Sequence, residues 1–218
     1  ASAGASYEWS TGATSQSIVV SPGSTTNYSV IVTDAFGCDA MASTQITVNP
    51  LPVAAIDPAA PEICVGFEVT LTASGGVSYE WNTGATSESI TVSPAITTIY
   101  SVIVTDANGC SSEAFVTVTV NNPPVIQALV TEPTGCASTN GAIALTLTGA
   151  SPYTYNWQTP NGSGLVQGQE DQSGLTVGTY FLTVTDDNGC VSTGVYTLLG
   201  PGGCDVCPLI SSLVTDPT

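Results

Sequence analysis

The chain has 218 residues, with no Lys, Arg or His and 17 Asp and Glu, so its formal charge is -17 at pH 7 while only 8% of residues are charged. Without cations it cannot neutralise nucleic-acid phosphates or settle on an anionic membrane surface. A Ser-His-Asp or Cys-His site lacks its base, and Schiff-base chemistry and the P-loop lack their lysine; His-containing zinc sites and Lys–Asn isopeptide cross-links are impossible, leaving carboxylate chemistry, hard-cation binding and non-catalytic roles.

From the N-terminal side, residues 7–52 return as residues 79–124 at a fixed offset of 72 residues, without insertion or deletion. Tyr7-Glu-Trp-Ser-Thr-Gly-Ala-Thr-Ser becomes Tyr79-Glu-Trp-Asn-Thr-Gly-Ala-Thr-Ser, and Tyr28-Ser-Val-Ile-Val-Thr-Asp-Ala-Phe-Gly-Cys38 becomes Tyr100-Ser-Val-Ile-Val-Thr-Asp-Ala-Asn-Gly-Cys110. About two-thirds of the aligned positions are identical, the signature of an array of like units. Strands are expected over Phe67–Ala73, Ser89–Val92, Tyr100–Thr105 and Phe115–Val120, where Thr, Val, Ile and Tyr alternate in the manner of a half-buried pleated surface. Gly, Asn, Ser and Pro clusters separate them at about 8–12 residues, the spacing of a small β-sandwich. No stretch of helical length carries a 3.6-residue apolar stripe, so almost no helix is expected.

Proline marks the boundaries: Asn49-Pro-Leu-Pro52, Asn121-Asn-Pro-Pro124 and Gly200-Pro-Gly-Gly203. Such short joints fix φ and favour end-to-end stacking with limited bending. The expected division is a truncated repeat over 1–52, a complete one over 53–124, a related one over 125–203, and the start of a further, truncated repeat over 204–218. Ala1 falls where Ala73 falls in the next copy. Ile210-Ser-Ser-Leu-Val-Thr-Asp-Pro-Thr218 echoes Ile126-Gln-Ala-Leu-Val-Thr-Glu-Pro-Thr134. Both ends therefore point to an interior window of a longer array.

Seven cysteines follow the repeats. Cys64 and Cys110 frame the second unit and Cys136 and Cys190 the third, so the expected disulfides are Cys64–Cys110 and Cys136–Cys190. Cys204-Asp-Val-Cys207 reads as a small joint-stiffening pair rather than a redox motif, because Gly-Pro-Gly-Gly precedes it where a thioredoxin-like motif would open a helix. Cys38 matches Cys110, and its partner is expected upstream. Framed cysteine pairs imply an oxidising, extracellular location, and units this small gain from a staple. The Cys64…Trp81…Cys110 spacing resembles that of immunoglobulin domains, with the staple at one end of the sandwich. The expected core is Trp9, Trp81, Trp157, Tyr28, Tyr100 and Tyr180. Tyr79 lies on the Trp81 face, and Tyr100, Val102 and Val104 are expected on the facing sheet.

These residues carry a family resemblance. Tyr79-Glu-Trp-Asn-Thr-Gly-Ala-Thr, Ser93-Pro-Ala-Ile-Thr-Thr-Ile-Tyr and Val104-Thr-Asp-Ala-Asn-Gly-Cys110 resemble the immunoglobulin/PKD-like repeats of Bacteroidota surface proteins. Cys136, Gly141-Ala-Ile, Pro152-Tyr-Thr-Tyr-Asn-Trp157, Gly174-Leu-Thr-Val-Gly-Thr-Tyr180 and Val184-Thr-Asp-Asp-Asn-Gly-Cys190 resemble the SprB repeat of gliding adhesins, apart from a Gly/Gln-rich insertion at 160–173. The resemblance implies a cell-surface or secreted protein exported by the type IX system, often an adhesin.

Candidate sites each have a plainer reading. Asp34, Asp106 and Asp186 precede Ala-Phe-Gly, Ala-Asn-Gly and Asp-Asn-Gly. They could take Ca²⁺, a hard cation, but each turn offers only one or two carboxylates, and a β-hairpin in which Asp accepts from the backbone and Gly supplies φ > 0 is favoured. Glu8 and Glu80 alternate with Tyr and Trp and face solvent, Asn156 replaces them in the third unit, and a narrow sandwich offers no cleft for a carboxyl pair. Tyr153 and Tyr155 could stack on sugars, with packing against Trp157 the favoured reading. The sequons at Asn27 and Asn161 are at chance level in so Ser/Thr/Asn-rich a chain. No cofactor is expected, Ca²⁺ being the one open candidate.

The sequence therefore reads as all-β: tandem immunoglobulin-like β-sandwich domains joined end to end by short Pro-rich linkers, with no enzymatic activity. The expected function is a stalk or filament segment of a long bacterial adhesin that bears force and presents a distal binding element. Its partners would be neighbouring repeats and a surface polysaccharide or cell-surface molecule, with no nucleic acid and no membrane insertion. The alternative is a carbohydrate-binding or spacer array on a secreted polysaccharide-degrading enzyme.

Overall fold

In the computed structural model, residues 6–202 are described, and every regular element among them is a β-strand. The chain divides into two compact units. One runs from the chain start to Asp57 and adds Thr72–Ile90 and Ser101–Phe115; the other comprises Pro58–Leu71, Thr91–Tyr100 and the chain from Val116 onward.

In the first unit, β1 (Ser6–Trp9), β2 (Thr26–Thr33) and β3 (Asp39–Ile46) form an antiparallel sheet in that order, with Trp9 opposite Val30 and Thr33 opposite Asp39. Alternation in Tyr28-Ser-Val-Ile-Val aims Val30 inward, where it is buried, while β3 is exposed along its whole length. Trp9 and Tyr28 are half-buried, lining a shallow cavity of about 150 Å³ with Ile18, Val20, Thr44 and Ile46. The same unit pairs β4 (Ala55–Asp57) with the end of β6 (Val69–Ser74), and β7 (Ser78–Trp81) with β9 (Thr98–Thr105). Trp81 lies directly opposite Val102, so Val102 and Val104 share its sheet instead of facing it, as does Tyr100 further along β9. The alternation that places these residues inside says nothing of which sheet each strand joins. Trp81, Val102 and Val104 are buried, as is Ile56 on β4.

Two further sheets are β4-β6-β8, with β8 at Ser89–Val92, and β5-β10-β9-β7, with β5 at Glu62–Cys64 and β10 at Ser111–Asn121. Phe67 and Phe115, which open two of the expected alternating runs, are exposed. Phe67 precedes β6 in a turn closed by its N–H on the Cys64 carbonyl, and in β10 it is Val116 and Val118 that point inward.

In the second unit, β5 lies parallel to the end of β10, with Asn121 opposite Cys64. Beyond it, β11 (Val125–Thr131), β12 (Gly141–Thr148) and β14 (Gln172–Leu175) face β13 (Thr154–Gln158), β15 (Gly178–Thr185) and β16 (Val191–Leu198). Ile143, Leu145 and Leu175 from the first sheet pack with Trp157, Tyr180, Leu182, Val184 and Leu198 from the second into one sandwich core. Burial of such side chains contributes roughly 1.5–3 kcal/mol each. No strand covers residues 47–54 or 122–124, the two proline-marked segments. Cys204, Cys207 and the truncated repeat expected over 204–218 lie outside the described residues.

Candidate functional site at the repeat joints

The three aspartates before the turn glycines do the same local work. Oδ1 of Asp34 accepts the N–H groups of Phe36 and Cys38 at 2.8 and 2.9 Å; Asp106 accepts those of Asn108 and Cys110 at 2.8 and 2.9 Å; Asp186 those of Asn188 and Cys190 at 3.0 and 2.8 Å. Gly37, Gly109 and Gly189 each follow at φ near +80°, a conformation glycine adopts without steric cost. The hydrogen bond from the Cys110 N–H leads the causes that hold the Asp106 carboxyl below its ordinary range. Among the described residues no group of three or more acidic or cysteine side chains gathers to hold a metal ion.

What differs is cover. Asp34 and Cys38 are exposed, Asp106 and Cys110 half-buried, and Asp186 and Cys190 buried at 5% and 1% exposure, with Asp186 Oδ2 left without a hydrogen bond. At the second and third turns the preceding linker is tied to the hairpin. Ser112 Oγ donates to the Pro52 carbonyl at 2.6 Å, and Ser192 Oγ to the Pro124 carbonyl at 2.5 Å. Each serine stands two residues after its hairpin cysteine. Glycine clears the linker's path on the other side: a Cβ on Gly75 would lie 2.0 Å from the Val53 carbonyl oxygen, and one on Gly149 would lie 3.2 Å from Pro124 Cα. Both glycines have positive φ.

The disulfides correct the expected pairing. Cys64 is bonded to Cys190, Cα to Cα 5.6 Å, across a sequence separation of 126. Cys110 is a free thiol, as is Cys38. Neither Cys64–Cys110 nor Cys136–Cys190 is formed, although Cys136 is itself disulfide-bonded. The reason is strand polarity. Cys110 immediately precedes the eleven-residue strand β10, whereas Cys64 pairs with that strand's last residue. At about 3.4 Å per residue the two belong to opposite ends of a run of roughly 35 Å, against the 7 Å limit for bridged Cα atoms. Cys64 instead meets the Asp186–Cys190 hairpin of the next repeat, where Cys190 Sγ lies 3.8 Å from the Asn121 carbonyl oxygen. The bond fastens one repeat to the next.

Each repeat also anchors its tryptophan. The indole N–H of Trp9 donates to Ser15 O, that of Trp81 to Ser87 O, and that of Trp157 to Gln169 O, at 2.8–2.9 Å. The reach grows from six residues to twelve in the third repeat because the 160–173 insertion supplies the acceptor. There Gln172 is buried and holds both backbone groups of Val166, while Gln167 does the same for Trp157. Sequence reasoning missed this strap; two glutamines five residues apart are its one trace. Tyr153 and Tyr155 are half-buried, and the Tyr155 hydroxyl is pushed up to about 12 by burial and then by Glu170 of the strap. Glu8, Glu80 and Asn156 are exposed. Trp81, Trp157, Tyr100 and Tyr180 are buried, Trp9 and Tyr28 half-buried.

No family model matches this chain, and no curated protein does. Among solved structures it is similar to the N-terminal eight immunoglobulin domains of Down Syndrome Cell Adhesion Molecule (14% identity, TM-score 0.46), covering 80% of this chain and 31% of that one. It is also similar to a three-immunoglobulin-domain fragment of titin (12%, TM-score 0.41; 89% and 87% covered) and to the human Desmocollin-1 ectodomain (13%, TM-score 0.31; 87% and 46%). The chain spans less than a third of the first of these. At such identities the likeness concerns fold alone.

Proposed function

We propose that this chain is a force-bearing stalk segment of a long bacterial cell-surface adhesin or filament, holding a distal binding element away from the cell. The observation that carries this reading is the Cys64–Cys190 bond between repeats. Tension entering at one end of the chain and leaving at the other crosses that bond and bypasses everything between the two cysteines, from β6 to β15. The paired Ser-to-Pro carbonyl bonds at both joints support the same role. A disulfide of this kind belongs to an oxidising compartment, which supports an extracellular place. The resemblance of the repeats to Bacteroidota surface and gliding adhesins supports type IX export and adhesion to a surface polysaccharide or cell-surface partner.

Single-molecule stretching tests this. With the disulfide intact, the segment between the cysteines stays folded away; adding reductant releases a further 126 residues, about 420–450 Å of contour at full extension. Equal released lengths with and without reductant would sink the load-bearing reading.

A further inference from the structure

We propose that Thr47-Val48-Asn49, the segment that follows β3, together with the Cys110 thiol, is a docking site for an extended, cysteine-bearing strand of the Pro61-Glu62-Ile63-Cys64-Val65-Gly66 pattern, the leading segment of a repeat of this type. The structure shows this arrangement occupied one joint further on. There β5 lies parallel to the end of β10, with Thr119 opposite Glu62 and Asn121 opposite Cys64. The Thr119 N–H donates to the Pro61 carbonyl and the Val65 N–H to the Asn121 carbonyl, both at 2.9 Å. That pairing delivers Cys64 to Cys190.

At the first joint the receiving half is built to the same plan. Thr47-Val48-Asn49 is the same tripeptide as Thr119-Val120-Asn121, at the 72-residue offset. Its backbone is held alike: Val48 N–H donates to Thr25 Oγ1 and Val120 N–H to Thr97 Oγ1, each at 3.0 Å. Three residues further on, Ser112 grips Pro52 as Ser192 grips Pro124. The Cys110 N–H sits on Asp106 Oδ1 as the Cys190 N–H sits on Asp186 Oδ1. Yet among the described residues no strand pairs with 47–49, and Cys110 is unbonded. An open strand edge offers a row of backbone donors and acceptors to an incoming strand, and main-chain pairing of this kind is a general mode of recognition. The occupant is defined by what it must supply: a carbonyl for Thr47 N–H, an N–H for Asn49 O, and a thiol between them. The docked pair is sealed when each thiol gives up a proton, one S–S bond forms, and two electrons pass to a disulfide oxidant that leaves as two thiols.

This rests on the stalk reading only in that the partner is another repeat; the stretching result stands whether or not the strand docks. The test is thiol capture by the oxidised chain, with Cys64–Cys190 intact. The probe is a synthetic peptide copying Ala59–Phe67 with its cysteine activated as a pyridyl disulfide. A cysteine thiolate of the chain attacks the peptide sulfur, and pyridine-2-thione leaves. Cys38 is the internal reference, since it is the more exposed of the two free thiols among the described residues and has the same Asp–Gly turn, and labelling is assigned to each cysteine by peptide mapping. A small pyridyl disulfide should label Cys38 faster. The peptide should reverse the order and label Cys110 about tenfold faster than Cys38, because docking makes the exchange intramolecular. A peptide with Val65→Pro, lacking the N–H for Asn49 O, should lose that preference. Peptide labelling that follows exposure, or a preference for Cys110 that the Val65→Pro peptide keeps, would overturn the proposal.

Discussion

The first and second joints share a frame and differ in one bond. Both have a hairpin closed by an aspartate, a serine hydroxyl on the linker proline carbonyl, and a positive-φ glycine beneath the linker. Only the second is covalent, through Cys64–Cys190, and only there are the hairpin aspartate and cysteine fully buried. The frame is thus local and repeats with the sequence. The covalent lock is added to it by a strand that reaches the joint from elsewhere in the fold. The hairpin and linker locate a joint, and the docked strand with its disulfide is what would carry load across it.

The largest test of that contrast removes the lock. Cys64→Ser opens a loop of 126 residues and should cost roughly 4–5 kcal/mol of stability in the second unit, by the loop-entropy relation. Amide exchange resolved along the chain should rise around Ser192 and β16 and stay unchanged around Ser112. Equal loss of protection at both joints would break the separation.

Next in size is the linker clearance. Gly75→Ala places a Cβ 2.0 Å from a backbone oxygen at φ +105°, and the backbone term alone costs about 1–2 kcal/mol. A non-specific protease should then cut the 47–54 segment several times faster. Gly149→Ala meets Pro124 at 3.2 Å, and the bond nearby restrains the joint, so the 122–124 segment should change less.

A smaller effect distinguishes frame from lock within one joint. Ser112→Ala and Ser192→Ala each remove a hydrogen bond worth about 1 kcal/mol. Exchange of the linker amides should respond to Ser112→Ala at once. The response to Ser192→Ala should be small while the disulfide stands and should match that of Ser112→Ala after reduction. If reduction leaves the difference in place, the equivalence of the two frames is wrong.

What the sequence made legible was local. Period-two alternation in Tyr100-Ser-Val-Ile-Val-Thr places Tyr100, Val102 and Val104 inside because a strand puts alternate side chains on opposite faces. Asp before Gly closes a turn through its own backbone, so the three aspartates were readable as hairpins one by one. Cysteine pairing was not local. It depended on β5 lying parallel to the far end of β10, a contact between segments over fifty residues apart, and proximity in sequence pointed to the wrong partner. A trace was there: Cys64 and Cys136 recur at the repeat offset ahead of the first long strand, away from the hairpin cysteines. The strap at 160–173 was hidden for another reason. Its buried glutamines satisfy themselves on neighbouring backbone, so polar composition that reads as an open loop is packed against Trp157.

The smallest expected effect concerns the hairpin of the open joint. The Asp106 carboxyl is held below its ordinary value of 3.8, chiefly by the Cys110 N–H, against a desolvation that opposes it. A carboxyl whose folded pKa is lowered contributes stability that is fully present above the unfolded value and is lost as pH falls through the folded one. Thermal melts of the chain and of Asp106→Asn should therefore differ most above the ordinary carboxyl value of 3.8 and draw together as pH falls below it, since the asparagine amide oxygen keeps an acceptor for the turn but has no charge to lose. The window lies on the acid side of 3.8 because the shift is downward. A gap between the two proteins that does not narrow at all as pH falls below 3.8 would show that the aspartate serves the turn by shape alone, and that the frame at the open joint owes nothing to its charge.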